Sequence, residues 1–230
     1  MTRAVVFDLL YTLVHPRGTG RMAWLADALS LDVDALRSRW HAFEPELESG
    51  RAGGPDPELG WLRATAAELG VRLTEADLEK AATEWDRGRR EALLDPPAAT
   101  IAALTGLRER GLKLGVLSNT HALEMRAWPR SPLAGLVDAV AFSHEIGHLK
   151  PERAAYEHIL DRLAVPAADA AYVGDGSNDE LLGARDAGFG LVALAEQAAA
   201  EAAPITLARL RAQADVSVTS LLDVERALSA

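Results

Sequence analysis

Arg3-Ala-Val-Val-Phe-Asp-Leu-Leu-Tyr-Thr-Leu-Val14 begins with an apolar run, Ala4 to Phe7, that has the β-branched and aromatic make-up of a buried strand. The run delivers one carboxylate, Asp8, to its carboxyl end, and a hydroxyl, Thr12, follows four residues later. In an open α/β sheet, ligands bind just beyond the carboxyl ends of the strands. Asp8 is therefore either a turn or helix-cap aspartate, or a carboxylate that works as nucleophile or metal ligand. Those two roles are separated only by what the rest of the chain places beside it.

Outward from this strand, the chain changes grammar twice. A loop punctuated by Gly and Pro, His15 to Gly20, leads into a stretch without strands. Apolar residues at three- and four-residue spacing predict helices over Met22–Leu29, Val33–Phe43, Leu59–Leu69 and Glu75–Leu94. Thr74, followed by Glu75 and Asp77, has the pattern of a helix start. Gly50 to Pro57 breaks the helices into pairs, and Asp95-Pro96-Pro97 closes the insert. Beyond it, helix and strand alternate. Helices are expected over Ala98–Arg110, Pro151–Leu163, Asp179–Ala187 and Leu221–Leu228. Strands are expected over Leu112–Leu117, Ala139–Phe142, Ala170–Val173, Gly190–Leu194 and Val216–Val218. Ala195–Ala203 fits a loop or a short helix. Such alternation predicts an α/β fold with a Rossmann-like parallel sheet. Residues 1–14 and 95–230 would form this core, and residues 15–94 an inserted all-α subdomain.

Composition narrows the function. Of 230 residues, 49% are hydrophobic, ample for a core. The net charge of −10 argues against non-specific binding to nucleic acid or anionic membranes. The absence of cysteine excludes disulfides, thiolate catalysis and Cys-ligated metal centres. No apolar segment is long enough to span a bilayer, and Asp8 interrupts the only apolar run near the N-terminus, so a cytoplasmic protein is expected.

Polar groups gather at the predicted strand ends: Asp8 with Thr12, Ser118 with Asn119, Lys150, and Asp175 with Asp179. Singly, each has a bland role as a turn residue, cap or solvated side chain. Together they offer the oxygen ligands that Mg²⁺ prefers, beside a hydroxyl, an amide and an ammonium suited to phosphoryl oxygens.

Phe7-Asp8…Thr12, Leu117-Ser118-Asn119, Lys150-Pro151 and Gly174-Asp175…Asp179 resemble, in order and spacing, the four motifs of the haloacid dehalogenase (HAD) superfamily. Gly183-Ala184…Ala187-Gly188 is similar to that family's helix after the fourth motif, and the insert resembles its helical cap. The resemblance implies a phosphatase or phosphoryl-transfer enzyme acting on a small phosphorylated metabolite. Asp8 would attack phosphorus and carry an aspartyl-phosphate. Thr12, Ser118, Asn119 and Lys150 would hold the phosphoryl group. Asp8, the backbone carbonyl of Leu10, Asp175 and Asp179 would bind Mg²⁺, with Glu180 a rival for Asp179. The cap would select the substrate, with Arg17, Arg21, Trp24, Trp40, Arg51 and Trp61 as candidate contacts.

One position departs from the pattern. Phosphatases of the family carry a second aspartate two residues after the nucleophile, where this chain has Leu10. A leucine cannot protonate a leaving alkoxide or deprotonate water, and such help is typically worth about 10²–10⁴ in rate. Tyr11, His15 and His121 are the nearest substitutes in sequence. The departure opens two alternatives: a 2-haloacid dehalogenase-like enzyme in which Asp8 attacks carbon, and a degenerate member that binds a phosphorylated ligand or partner. A phosphonate-cleaving variant would need a cap lysine, and Lys80 is the only lysine there.

Overall fold

The structure is a computed structural model that describes residues 2–16, 21–54, 56–202 and 206–228. After β1 (Ala4–Phe7), the insert contributes α1 (Arg21–Leu29), α2 (Val33–Glu48), α3 (Pro57–Glu68), α4 (Glu75–Trp85) and α5 (Arg87–Leu94). The chain continues through α6 (Ala98–Glu109), β2 (Lys113–Ser118), α7 (Ala122–Met125), β3 (Ala139–Phe142), α8 (Ser143–Ile146) and α9 (Arg153–Leu163). It ends with β4 (Ala170–Gly174), α10 (Glu180–Ala187), β5 (Leu191–Ala195), α11 (Glu196–Ala202), α12 (Leu207–Gln213), β6 (Val216–Val218) and α13 (Val224–Ala227).

All six strands are parallel, in the order β3-β2-β1-β4-β5-β6. β1 lies between β2 and β4, with Phe7 opposite Val116 on one side and Val173 on the other. Helices cover both faces, which is why these strands read as continuous apolar runs. One face packs Val5, Phe7, Val116 and Val173 against Leu104 and Leu107 of α6. The other packs Val6 and Tyr172 against Tyr156 and Ile159 of α9 and Leu181 of α10. The order reverses about β1, so the ends of β1, β2 and β4 share one rim at the topological switch point, where such sheets hold ligands. The expected Rossmann-like α/β architecture is what the chain adopts.

Four helices of the insert, α1 to α4, enclose an apolar cluster built on Leu36, Trp40, Leu62 and Trp85, which Leu123 from beyond β2 joins, while α5 packs Leu93 into the core of the sheet. Trp40 is its hub, edge-on to Trp61 at 5.2 Å and to Trp85 at 5.1 Å. Thr74 starts α4 with a reciprocal cap: Asp77 N–H donates to Thr74 Oγ1 at 3.2 Å and Thr74 N–H to Asp77 Oδ2 at 2.8 Å.

Several boundaries differ from the sequence expectation. The helix expected over Glu75–Leu94 is two, parted at Asp86, whose carboxylate takes Arg90 at 2.5 Å. α2 continues through Pro45 to Glu48, because proline in a last turn forfeits a single backbone bond. The Ala-rich segment is helical as α11. The last expected helix shortens to Val224–Ala227 behind a 3₁₀ turn over Leu221–Asp223. Among the described residues, no helix is long and apolar enough to cross a membrane.

Candidate active site

Asp8 follows β1 directly, and Ser118 is the last residue of β2. Asp175 follows β4, and all three side chains are buried. Lys150 reaches the same point from the segment ahead of α9. Its Nζ donates to Asp8 Oδ1 at 2.6 Å, to Glu180 Oε2 at 2.5 Å and to the Tyr172 hydroxyl at 3.3 Å. Glu180 opens α10 fully buried; Oε2 also accepts from Tyr172 Oη at 2.7 Å and Oε1 from the Gly176 N–H at 2.9 Å. Asp175 Oδ1 accepts from the Ser177 N–H at 3.0 Å. Carboxylate oxygens of Asp8, Asp175 and Glu180 lie within 4.8 Å of one another.

Three carboxylates against one ammonium leave this buried point short of positive charge. Burial pushes the Asp8 carboxyl up; Lys150 opposes the rise and Asp175 adds to it. Burial pushes Glu180 up to about 8 despite Lys150, with Asp8 and Asp175 contributing. Burial alone would lower the Lys150 ammonium, but Asp8 and Glu180 hold it well above its ordinary value. Asp8 Oδ2 and Thr12 Oγ1 are buried and neither makes a well-formed hydrogen bond among the described residues, although the Thr12 hydroxyl lies near enough to Asp8 to oppose the rise of its carboxyl. Orphaned buried oxygens among like charges are costly. A divalent cation coordinated by oxygen relieves both deficits, so the residues present fit Mg²⁺.

The structure thus gathers Asp8, Thr12, Ser118, Lys150 and Asp175 at the strand ends, and places three other expected residues differently. Asn119 does not point its amide at an open space. It clasps the Lys150 backbone, Nδ2 donating to the carbonyl at 3.0 Å and Oδ1 accepting from the N–H at 2.8 Å, and so fixes where Lys150 starts. Leu10 sits in the turn that returns to Val14, and its carbonyl takes no part in that turn's backbone hydrogen bonds. Asp179 does not join the carboxylates: its side chain is 55% exposed and faces Arg209 at 3.9 Å. Asn178 and Asp179 both adopt left-handed backbone, φ 52° and 51°, which swings Asp179 outward and presents Glu180 in its place. Glu180, and not Asp179, is therefore the acid this turn places beside Asp8 and Asp175.

The nearest substitutes for the missing acid are also placed. Tyr11 holds φ 70° and is 42% exposed. His15 is exposed in a cleft with Pro96 and Pro97. His121 is buried between two carboxylates, Nδ1 at 2.9 Å from Glu58 and Nε2 at 3.1 Å from Glu124. Glu124 also takes Arg89 of α5 at 2.6 Å, and Glu58 of α3 accepts the Leu123 N–H at 2.8 Å. Burial would push Glu58 up, but its bonds to His121 and the Leu123 N–H outweigh that and hold it below the ordinary range. This network joins the insert to the loop beyond Ser118.

Of the candidate insert contacts, Trp40 and Trp61 belong to the insert's own aromatic core. Arg51 pairs with Glu46 at 3.2 Å on the surface. The Trp24 ring lies beneath the exposed Lys80 ammonium at 5.6 Å, a cation–π contact in place of a Schiff-base position. Arg17 and the Arg21 side chain lie outside the described residues.

Gly174 shows how tightly the cluster is built. A Cβ there would lie 2.1 Å from Glu180 Oε1 and 3.1 Å from the Tyr172 ring. Gly174→Ala is expected to displace Glu180 from Lys150 and Gly176, at a cost of about 1–3 kcal/mol, and to depress activity. Thermal melting beside turnover measures both. Tyr172, whose hydroxyl bridges Lys150 and Glu180, was invisible to sequence reasoning because it reads as one more strand residue. A period-two count from Gly174 is the only signal that could have aimed it toward the site.

Known proteins complete the comparison. A family model described as haloacid dehalogenase-like hydrolase matches residues 2–188. The glyceraldehyde 3-phosphate phosphatase of Methanothermobacter thermautotrophicus is 32% identical over 201 residues, 84% of this chain and 85% of that protein. The ribulose-1,5-bisphosphate 5-phosphatase of Halopiger xanaduensis is 28% identical over 200 residues, 82% of this chain and 83% of that protein. A solved 2-haloacid dehalogenase from Pseudomonas syringae pv. tomato superposes with a TM-score of 0.73 at 22% identity, covering 100% of this chain and 99% of that one. That likeness concerns the fold, whereas the family match spans the strand ends where Asp8, Ser118, Lys150 and Asp175 converge. With site and sequence in agreement, the chain belongs to the haloacid dehalogenase-like hydrolases and is an enzyme of that family.

Proposed function

We propose that this hydrolase is a Mg²⁺-dependent phosphatase of a small phosphorylated metabolite, with Asp8 as the nucleophile. The carrying observation is the division of labour within one side chain. Asp8 Oδ1 is held by Lys150, while Oδ2 is buried without a well-formed hydrogen bond among the described residues, and the carboxylate lies close to that of Asp175. Curated relatives named as phosphatases support the same reading.

Asp8, Asp175 and the carbonyl of Leu10, to which no backbone N–H of the described residues donates, would hold the cation, with Glu180 behind them. Both Glu180 oxygens are already engaged by Gly176, Lys150 and Tyr172, so its work is to anchor the ammonium and add charge to the site. When bound, Mg²⁺ supplies positive charge that lets an anionic phosphoryl group approach an anionic nucleophile. Asp8 attacks phosphorus and the leaving group departs, giving an aspartyl-phosphate that water hydrolyses. Lys150 orients the nucleophile and, with the Ser118 hydroxyl, stabilises charge on the transferring oxygens. The insert, packed over the loop beyond Ser118, forms the cap that closes the site.

Leu10 is the observation that favours a second reading, attack of Asp8 on carbon with loss of halide, since halide needs no proton. The cluster weighs against it, because three close carboxylates without a cation repel one another.

Phosphate release from a panel of phosphate esters, with Mg²⁺ or with EDTA, tests the proposal. Turnover that needs Mg²⁺ supports it; chloride release from a 2-chloro acid that ignores EDTA overturns it. Stability supplies an independent readout. Glu180 is raised to about 8 in the folded protein, so its contribution is present at low pH and lost as pH rises through about 8, and the raised Asp8 carboxyl acts in the same direction. The metal-free protein is expected to melt lower as pH climbs from about 5 to 8. The rise in melting temperature on adding Mg²⁺ should grow over the same range.

A further inference from the structure

We propose that Glu48, carried on α2 of the insert, is the proton donor and acceptor that stands in for the side chain missing at Leu10. The proposal rests on the phosphatase reading above.

Three placements bracket Glu48 against the reaction centre. Trp40, two turns earlier on α2, meets the His121 ring at 5.6 Å, and His121 lies three residues beyond Ser118. Residues at four- and eight-residue spacing share a helix face, so Trp40, Glu44 and Glu48 form one row along this loop. Just past the helix, Gly50 abuts the core: a Cβ there would lie 2.3 Å from the His144 carbonyl oxygen. His144 in turn bonds Thr120, its Nδ1 3.0 Å from Oγ1. Glu48 thus lies between two contacts with the rim of the sheet: Trp40 against His121 beyond β2, and Gly50 against His144 beyond β3.

The carboxyl is also available. Glu48 is half-buried and makes no hydrogen bond or ion pair among the described residues. The charged and titratable groups that face it are Glu44 on its own helix, His121 and Glu124 beyond β2, and Lys150; His144 and Glu145 lie on α8, packed against α2. Burial, with Glu44 and Glu124, pushes the Glu48 carboxyl up to about 7, while His121 and Lys150 oppose the rise. A group that is half protonated near neutrality can both give and take a proton. The other substitutes are worse placed: His121 is locked between Glu58 and Glu124, and Tyr11 is an exposed turn residue.

The proton balance is simple. Asp8 attacks phosphorus, the P–O bond to the leaving group breaks, and the Glu48 carboxylic acid gives its proton to the departing alkoxide. The Glu48 carboxylate then takes a proton from water as the water oxygen attacks phosphorus. The P–O bond to Asp8 breaks, which frees inorganic phosphate and restores Asp8 as carboxylate and Glu48 as acid.

Glu48→Gln in the full-length protein tests this, with Asp8→Asn as control. The variant should melt like wild type and lose about 10²–10⁴-fold in turnover of an alkyl phosphate such as glycerol phosphate. With p-nitrophenyl phosphate, whose phenolate leaves unprotonated, it should release one equivalent of nitrophenolate in a burst and then stall. Wild-type kcat/KM for the alkyl ester should fall as pH rises through about 7, and the variant should lack that limb. Formate should partly rescue Glu48→Ala. Wild-type turnover of the alkyl ester by Glu48→Gln, or loss of the burst along with alkyl turnover, overturns the role of Glu48. If those results occur while Asp8→Asn is inactive, the phosphatase reading survives. If the wild type itself turns over no phosphate ester, that reading falls and Glu48 with it.

Discussion

Asp8→Asn is expected to abolish turnover, by about 10⁴-fold or more, while leaving the fold intact or firmer. The amide matches the carboxylate in shape, and its oxygen can still accept from Lys150, which keeps Glu180 as its ionic partner. Removing one of three crowded carboxylates relieves repulsion, so the metal-free variant should lose less stability than wild type as pH rises toward about 8. The joint outcome is the informative one. Phosphate release measures the chemistry, and melting with EDTA across pH measures the relief. A variant both inactive and strongly destabilised would mean that Asp8 is chiefly structural.

Lys150→Met should damage both properties at once. Methionine fills similar space but leaves Asp8, Asp175 and Glu180 with no cation among them. Removing one partner of a buried ion pair typically costs about 3–5 kcal/mol, and in a chain of this size each kcal/mol lowers the melting temperature by about 2–4 °C. The loss should be greater at about pH 8 than near pH 6, because Glu180 can take a proton at the lower value and so shed its unpaired charge. Added Mg²⁺ should restore part of the stability, yet turnover should stay low, since the ammonium that orients Asp8 is gone. Denaturation at two pH values, each with and without Mg²⁺, checks every part of this expectation.

Much of this site was legible in the chain because each polar group ends an apolar run. Val5-Val6-Phe7 before Asp8 and Ala171-Tyr172-Val173 before Gly174-Asp175 can only be buried strands, and buried parallel strands must deliver their next polar residue to a common rim. The choice between Asp179 and Glu180 was not legible. It turns on two consecutive residues in left-handed backbone, and Asn and Asp tolerate that region without demanding it. Trp40 and Trp61 misled as substrate contacts; large aromatics on adjoining amphipathic helices pack on one another first, as they do here. His121 and Glu124 are a local pair three residues apart, but the bonds that tie them to Glu58 and Arg89 escaped notice because they join residues far apart in sequence, and no local pattern records a long-range ion pair.

That last network decides what kind of seam joins insert to core. An apolar seam, once parted, would leave two greasy faces that stick to each other or to other molecules. Here, much of what would be uncovered is ionic: Glu58 and Arg89 on one side, His121 and Glu124 on the other. Water welcomes such groups, so hydration compensates much of what the severed pairs lose. Beside the apolar Leu123, which packs into the insert's own cluster, the seam thus carries a band of groups that would remain compatible with water wherever it reached them.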